Sequence, residues 1–148
     1  MTNWKTSFEE IEIGTGRTIT EGEDLAILTI GHIGNYAIEV CEKLAKQGIT
    51  IGHYDLRFVK PLDAQLLHKI FSKYRKIITV EDGCIQGGFG SAILEFMADH
   101  HYTAAVKRLG IPDKIIEHGE QSELHSESGF DVESIERAVL AMLETVLK

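Results

Sequence analysis

A chain of 148 residues with 43% hydrophobic content suits one domain with a core of its own. Its 15 Lys+Arg against 23 Asp+Glu give a net charge of -8, so the long-range field opposes nucleic acid and anionic membranes, and neither is expected as a partner. Apolar residues come in short runs, none near the roughly 18 of a membrane span, and Met1 to Lys5 lacks an apolar signal core, so the expected location is the cytoplasm.

Residues 1–10 read as a lead-in segment from an upstream domain absent from this chain, with Trp4 and Phe8 as isolated apolar anchors, and residues 11–148 as the domain proper. Gly14, Gly16 and Gly22 around Arg17-Thr18-Ile19-Thr20 predict a short strand or hairpin at a sheet edge. Asp24 to Ile30 is a near-continuous apolar strand, and Gly31-His32-Ile33-Gly34-Asn35 then turns the chain into a helix. That helix buries Ile33, Ala37, Val40, Cys41 and Leu44 and ends at Gly48. Ile49 to Phe58 supplies the next strand, after which Pro61 and Asp63 open a helix with Leu66, Leu67, Ile70, Phe71 and Tyr74 inward.

Ile77-Ile78-Thr79-Val80 is a β-branched run without alternation, the pattern of a strand covered on both faces. Glu81 and Asp82 follow, then a loop in which Gly83, Gly87, Gly88 and Gly90 permit positive φ or close approach, and a helix from about Phe89 to His101. Ala105 to Gly110 predicts an edge strand, since it carries Lys107 and Arg108, and Ile111-Pro112 stops it. Ser122 to Ser128 reads as a helical turn closed by Gly129, and Asp131 caps a last helix with Ile135, Ala138, Val139, Met142, Leu143 and Val146 on one face. This alternation predicts a three-layer α/β/α domain with a mostly parallel five-stranded sheet.

Gly87-Gly88-Phe89-Gly90 is neither G-x-G-x-x-G nor part of a G-x-x-x-x-G-K-[ST] motif, which favours a tight packing turn over a phosphate cradle. Cys41 belongs to a helical core stripe; Cys84 lies in the glycine loop, with no pattern that assigns it a base. The histidines are scattered, neither His100-His101 nor His118 with His125 has helical zinc-pair spacing, and surface or capping roles are expected. No catalytic, cofactor-binding or metal-ligating residue is assigned within the chain.

Two blocks carry a resemblance. Asp55-Leu56-Arg57-Phe58-Val59-Lys60-Pro61-Leu62-Asp63, followed by Thr79-Val80-Glu81 with Gly87-Gly88-Phe89-Gly90-Ser91-Ala92, resembles the C-terminal (third) domain of the transketolase-like thiamine-diphosphate enzymes. With Leu109-Gly110-Ile111-Pro112-Asp113 and Ile116-Glu117-His118-Gly119, the likeness is greatest to the 1-deoxy-D-xylulose-5-phosphate synthase family and runs from about Ile11 to Leu143. Asp82 stands where that family commonly has a second Glu, which keeps the charge.

The resemblance implies a larger homodimeric parent that condenses pyruvate with D-glyceraldehyde 3-phosphate, releasing carbon dioxide, for isoprenoid, thiamine and pyridoxal synthesis. It implies thiamine diphosphate and Mg in the parent and none in this chain: the family's Gly-Asp-Gly…Asn motif belongs to an upstream domain, and Glu81-Asp82-Gly83 is not that motif. Alone, the chain is expected to be inert and to serve assembly and docking on the upstream catalytic domains. Two alternatives are the corresponding domain of a 2-oxo acid dehydrogenase E1 β subunit, with a second subunit and a lipoyl carrier as partners, and a free-standing α/β anion-binding module.

The family's sheet order, 1-3-2-4-5 with the first strand antiparallel, would bring Gly31–Asn35 beside Glu81–Gly90 at a topological switch point. His32, Asn35, Glu81, Asp82, Gln86, Gly87, Gly88 and Gly90 are therefore expected to line a crevice used for docking, with His32, Asn35, Glu81 and Gln86 partly exposed. Asp55, Arg57, Lys60 and Asp63 are expected to form local ion pairs and a helix cap in preference to a phosphate site.

Overall fold

The computed structural model describes residues 9–144, so the anchors Trp4 and Phe8 and the last apolar position, Val146, lie outside the described residues. Five strands form one sheet in the order β1-β3-β2-β4-β5. They are β1 (Arg17–Thr20), β2 (Leu25–Thr29), β3 (Ile51–Asp55), β4 (Lys76–Cys84) and β5 (Ala105–Ile111). β1 pairs antiparallel with β3, placing Arg17 opposite Asp55, and the other neighbours are parallel. This is the α/β architecture expected from the sequence, with the strand order and antiparallel edge that the family resemblance implied.

The central strand β2 is buried throughout because helices cover both faces. Leu25 and Ile27 point to one side, into a core shared with α1 (Gly34–Ala45) and α5 (Val132–Glu144) through Val40, Leu44, Ile135 and Val139. Ala26 and Leu28 point to the other, into a core shared with α2 (Ala64–Lys73) and α3 (Phe89–Asp99) through Leu67, Phe71, Ile93 and Phe96. The split follows from the two-residue period of a strand, and each fully buried Leu, Ile or Phe contributes about 1.5–3 kcal/mol. The short α4 (Gln121–Ser128) ends at Gly129, whose φ of +78° makes the left-handed stop read from the sequence.

The caps also fall where the residue types place them. Asp63 accepts from the N–H of Leu66 at 2.9 Å and, with its second oxygen, from the N–H of Gly16 at 2.8 Å, tying α2 to the lead into β1. Asp131 accepts from the N–H of Ser134 at 2.9 Å at the start of α5. Cys41 is buried in the core beside α5, and burial pushes its thiol up to about 11, which leaves it unreactive near neutral pH.

Candidate functional site

β4 is longer than its apolar run. Pairing continues past Val80, but from Val80 to Cys84 β4 advances four positions while β5 advances only from Leu109 to Ile111. The resulting bulge redirects the side chains that follow. Glu81, expected to be partly exposed, is 4% exposed and points under the start of α3. Its carboxylate accepts from the N–H of Phe89 at 2.6 Å and from the N–H of Gly90 at 2.8 Å. A strand residue thus supplies the anion that a helix N-terminus favours, satisfying two otherwise orphaned donors.

The glycines around Glu81 are explained by close approach. A Cβ on Gly88 would collide with Glu81 Oε2 and the carbonyl of Cys84. One on Gly110, across on β5, would come within 2.9 Å of Glu81 Cγ and of the Gly83 carbonyl. Gly87 differs, since its φ of +76° needs a residue without Cβ at the turn itself. Arg108, read in the sequence only as a mark of an edge strand and not as part of the site, holds this loop from β5: its guanidinium donates to the carbonyl of Ile85 and, at 2.8 Å, to Ser91 Oγ. Ser91 Oγ also accepts from the N–H of Gly87 at 3.0 Å. The available signal was the alternation of Lys107 and Arg108 on an edge strand, which puts one cation on each face.

An open cleft of about 570 Å³ lies at the carboxyl ends of β2 and β4, lined by Gly31, His32, Glu81, Asp82, Gln86, Gly87 and Gly88 among others. Gly90 lies buried beneath it, with no contribution to its lining. Asn35 faces a neighbouring hollow with Arg17, Asp55 and Arg57 instead, on the β3 side of the Gly31–Asn35 turn. Exposed Cys84 points its sulfur at Gln86 Oε1, 3.6 Å away.

The ion pair of the Asp55 block also differs from the one expected. Asp55 pairs with Arg17 at 3.0 Å across the β1–β3 ladder, because register places them opposite each other. Arg57 gives Asp55 only its backbone N–H, at 3.1 Å, and takes a left-handed φ of +56°. Its guanidinium and the exposed ammonium of Lys60 make no ion pair among the described residues.

Beside the cleft, Asp82 Oδ2 lies 3.5 Å from His32 Nε2 and 3.6 Å from His125 Nε2. His125, expected in a surface or capping role, is instead 4% exposed, with its ring 4.7 Å from that of Phe130 and its Nδ1 3.2 Å from the Tyr36 hydroxyl. Asp82 also borders a second cleft of about 550 Å³ reaching Lys114, His118 and Leu124.

The residues present do not fit thiamine diphosphate with magnesium. The α3 N–H groups that could cradle a phosphate are taken by Glu81, a second carboxylate lines the same cleft, and Arg108, the cation behind the loop, is committed to Ile85 and Ser91.

A family model described as transketolase, C-terminal domain, matches residues 14–135. A 1-deoxy-D-xylulose-5-phosphate synthase of Cytophaga hutchinsonii is 61% identical over 148 residues, covering 100% of this chain and 23% of that protein. The synthase of Bacteroides thetaiotaomicron is 49% identical over 145 residues, covering 97% of this chain and 22% of that protein. The chain therefore spans less than a quarter of the length of these relatives. Among solved structures, a split-gene transketolase described as an inactive β4 tetramer superposes with a TM-score of 0.83 at 26% identity, over 91% of this chain and 44% of that one. Transketolase from Campylobacter jejuni, at 17% identity, shares the fold with a TM-score of 0.65 over 90% of this chain and 19% of that one.

Proposed function

The chain belongs to the transketolase C-terminal domain family, and from that premise we propose that it is the non-catalytic C-terminal domain of a 1-deoxy-D-xylulose-5-phosphate synthase. In this reading residues 1–10 lead in from an upstream domain and residues 11–148 form the C-terminal domain. The parent is a cytoplasmic, homodimeric, thiamine-diphosphate-dependent transferase that joins pyruvate to D-glyceraldehyde 3-phosphate with loss of carbon dioxide. This domain contributes assembly: its switch-point edge, with His32, Asp82, Gln86 and Gly87, docks on the upstream catalytic domains or on a second subunit.

One observation carries the reading. Glu81 places its carboxylate on the amides of α3 that an anion-binding or cofactor-binding version of this edge would need, so the edge is built to hold its own loop in shape and to present it. The same observation weighs against a free-standing anion-binding module. Similarity along the whole chain to 1-deoxy-D-xylulose-5-phosphate synthases weighs against the domain of a 2-oxo acid dehydrogenase β subunit. No helix among the described residues is long and apolar enough to cross a membrane.

The test is calorimetric titration of the chain with thiamine diphosphate in magnesium-containing buffer, together with an assay on pyruvate and D-glyceraldehyde 3-phosphate. Neither binding nor product is expected. Cofactor binding at micromolar concentration would contradict the assignment.

A further inference from the structure

We propose that His32, Asp82 and His125 form a binding site for a divalent transition-metal ion, with zinc the best match, at the carboxyl edge of the sheet between the two clefts. The three residues come from the turn after β2, the bulged end of β4 and α4. Their nearest ligand atoms all lie within 4.8 Å of one another.

The spacing suits ligands of a shared ion better than hydrogen-bonded partners. A charge-assisted N–H···O bond spans about 2.7–2.9 Å, whereas Asp82 Oδ2 stands 3.5 Å from His32 Nε2 and 3.6 Å from His125 Nε2. Donors about 2.0–2.1 Å from a tetrahedral zinc ion are themselves roughly 3.3 Å apart, so small rotations of the exposed His32 and Asp82 side chains complete the geometry. Two imidazoles and one carboxylate form a donor set that zinc accepts and that magnesium, which favours oxygen ligands and water, does not.

His125 supplies the fixed part of the site. It is 4% exposed, and its ring lies 4.7 Å from that of Phe130 and edge-on to Tyr36 at 5.7 Å. Its Nδ1 lies 3.2 Å from the Tyr36 hydroxyl. With the proton on Nδ1, donated to that hydroxyl, Nε2 directs its lone pair at the position beside Asp82, the outer-shell arrangement that orients metal-bound histidines. Three protein ligands leave a coordination position open toward the clefts for water or for a donor from a docked domain. The site does not depend on the docking reading, because all three protein ligands belong to this chain.

The experiment is calorimetric titration of the chelator-stripped chain with zinc chloride at pH 7.5, circular dichroism confirming that each variant is folded. One zinc per chain is expected. His32→Ala and Asp82→Asn, both at exposed side chains, should each weaken binding at least tenfold, while His101→Asn, at an exposed histidine outside the cluster, leaves it unchanged and millimolar magnesium does not compete. The absence of saturable zinc binding would overturn the proposal, as would an affinity that His32→Ala and Asp82→Asn leave within twofold or that His101→Asn reduces equally.

Discussion

Glu81 Oε2 occupies the space that a Cβ atom on Gly88 would need, so the carboxylate that caps α3 and the glycine just before that helix specify each other. Gly88→Val should therefore lower stability by about 1–3 kcal/mol or more, the usual cost of overpacking. Gly90→Val should act similarly, since its Cβ would stand 2.6 Å from Thr79 Oγ1 and 2.9 Å from Arg108 Cδ. Urea denaturation measures this as a lower midpoint; wild-type midpoints for both variants would show that the loop has slack the structure does not contain.

Replacing Glu81 separates capping from packing. Glu81→Gln keeps the shape but only one oxygen acceptor, and should cost about 1–3 kcal/mol, with Glu81→Ala costing more because both the Phe89 and Gly90 N–H groups then lose their partner. Amide exchange at Phe89 and Gly90 should rise in both variants, and Glu81→Ala should raise it further. Unchanged exchange at those two amides in Glu81→Ala would remove the cap from the account.

Arg108→Ala tests the support from β5. Without its guanidinium the Ile85 carbonyl and Ser91 hydroxyl lose their charged donor, so exchange should quicken across Ile85–Ser91 while the buried part of β4, Ile77–Val80, stays protected. Hydrogen exchange followed by mass spectrometry resolves the two segments, and equal quickening in both would indicate global destabilisation instead.

His53 gives the domain an acid-sensitive element. It is buried, with Nε2 2.9 Å from Thr29 Oγ1, and burial pushes its pKa down to about 4, Asp55 opposing and Arg17 reinforcing that shift. The folded chain therefore holds His53 neutral where the unfolded chain binds a proton. The associated stability is fully present above about pH 6.5 and is lost as pH falls toward 4, a change of about 3 kcal/mol. His53→Gln should flatten that part of the stability profile measured by urea titration between pH 7 and 4. A wild-type profile equally flat would contradict the neutral buried state.

The strands and helices were legible because each apolar run kept one period over its length, and because Asp63, Gly129 and Asp131 cap or stop helices by local chemistry, while their order in the sheet came from the family resemblance. Glu81 was misplaced for a physical reason. A carboxylate among glycines reads as exposed, and only the bulge against Leu109–Ile111 turns it under α3. Arg17 with Asp55, and His32 with His125, were invisible for another: each pair joins distant parts of the sequence through register or packing, and neither leaves a local spacing to read. Asn35 was near enough in sequence to His32 to be assigned the same cleft, yet it faces the hollow on the β3 side of the turn.

Docking of the switch-point edge is the central claim, and hydrogen exchange at Gly31–Asn35 and Gly83–Gly90 tests it most directly when this chain alone is compared with a protein in which it is joined to the upstream domains of a 1-deoxy-D-xylulose-5-phosphate synthase. Protection of both segments should rise in the longer protein, with little change in the buried strand Leu25–Thr29. Equal exchange in the two proteins, or protection of the isolated chain's loops by a small anion alone, would contradict it.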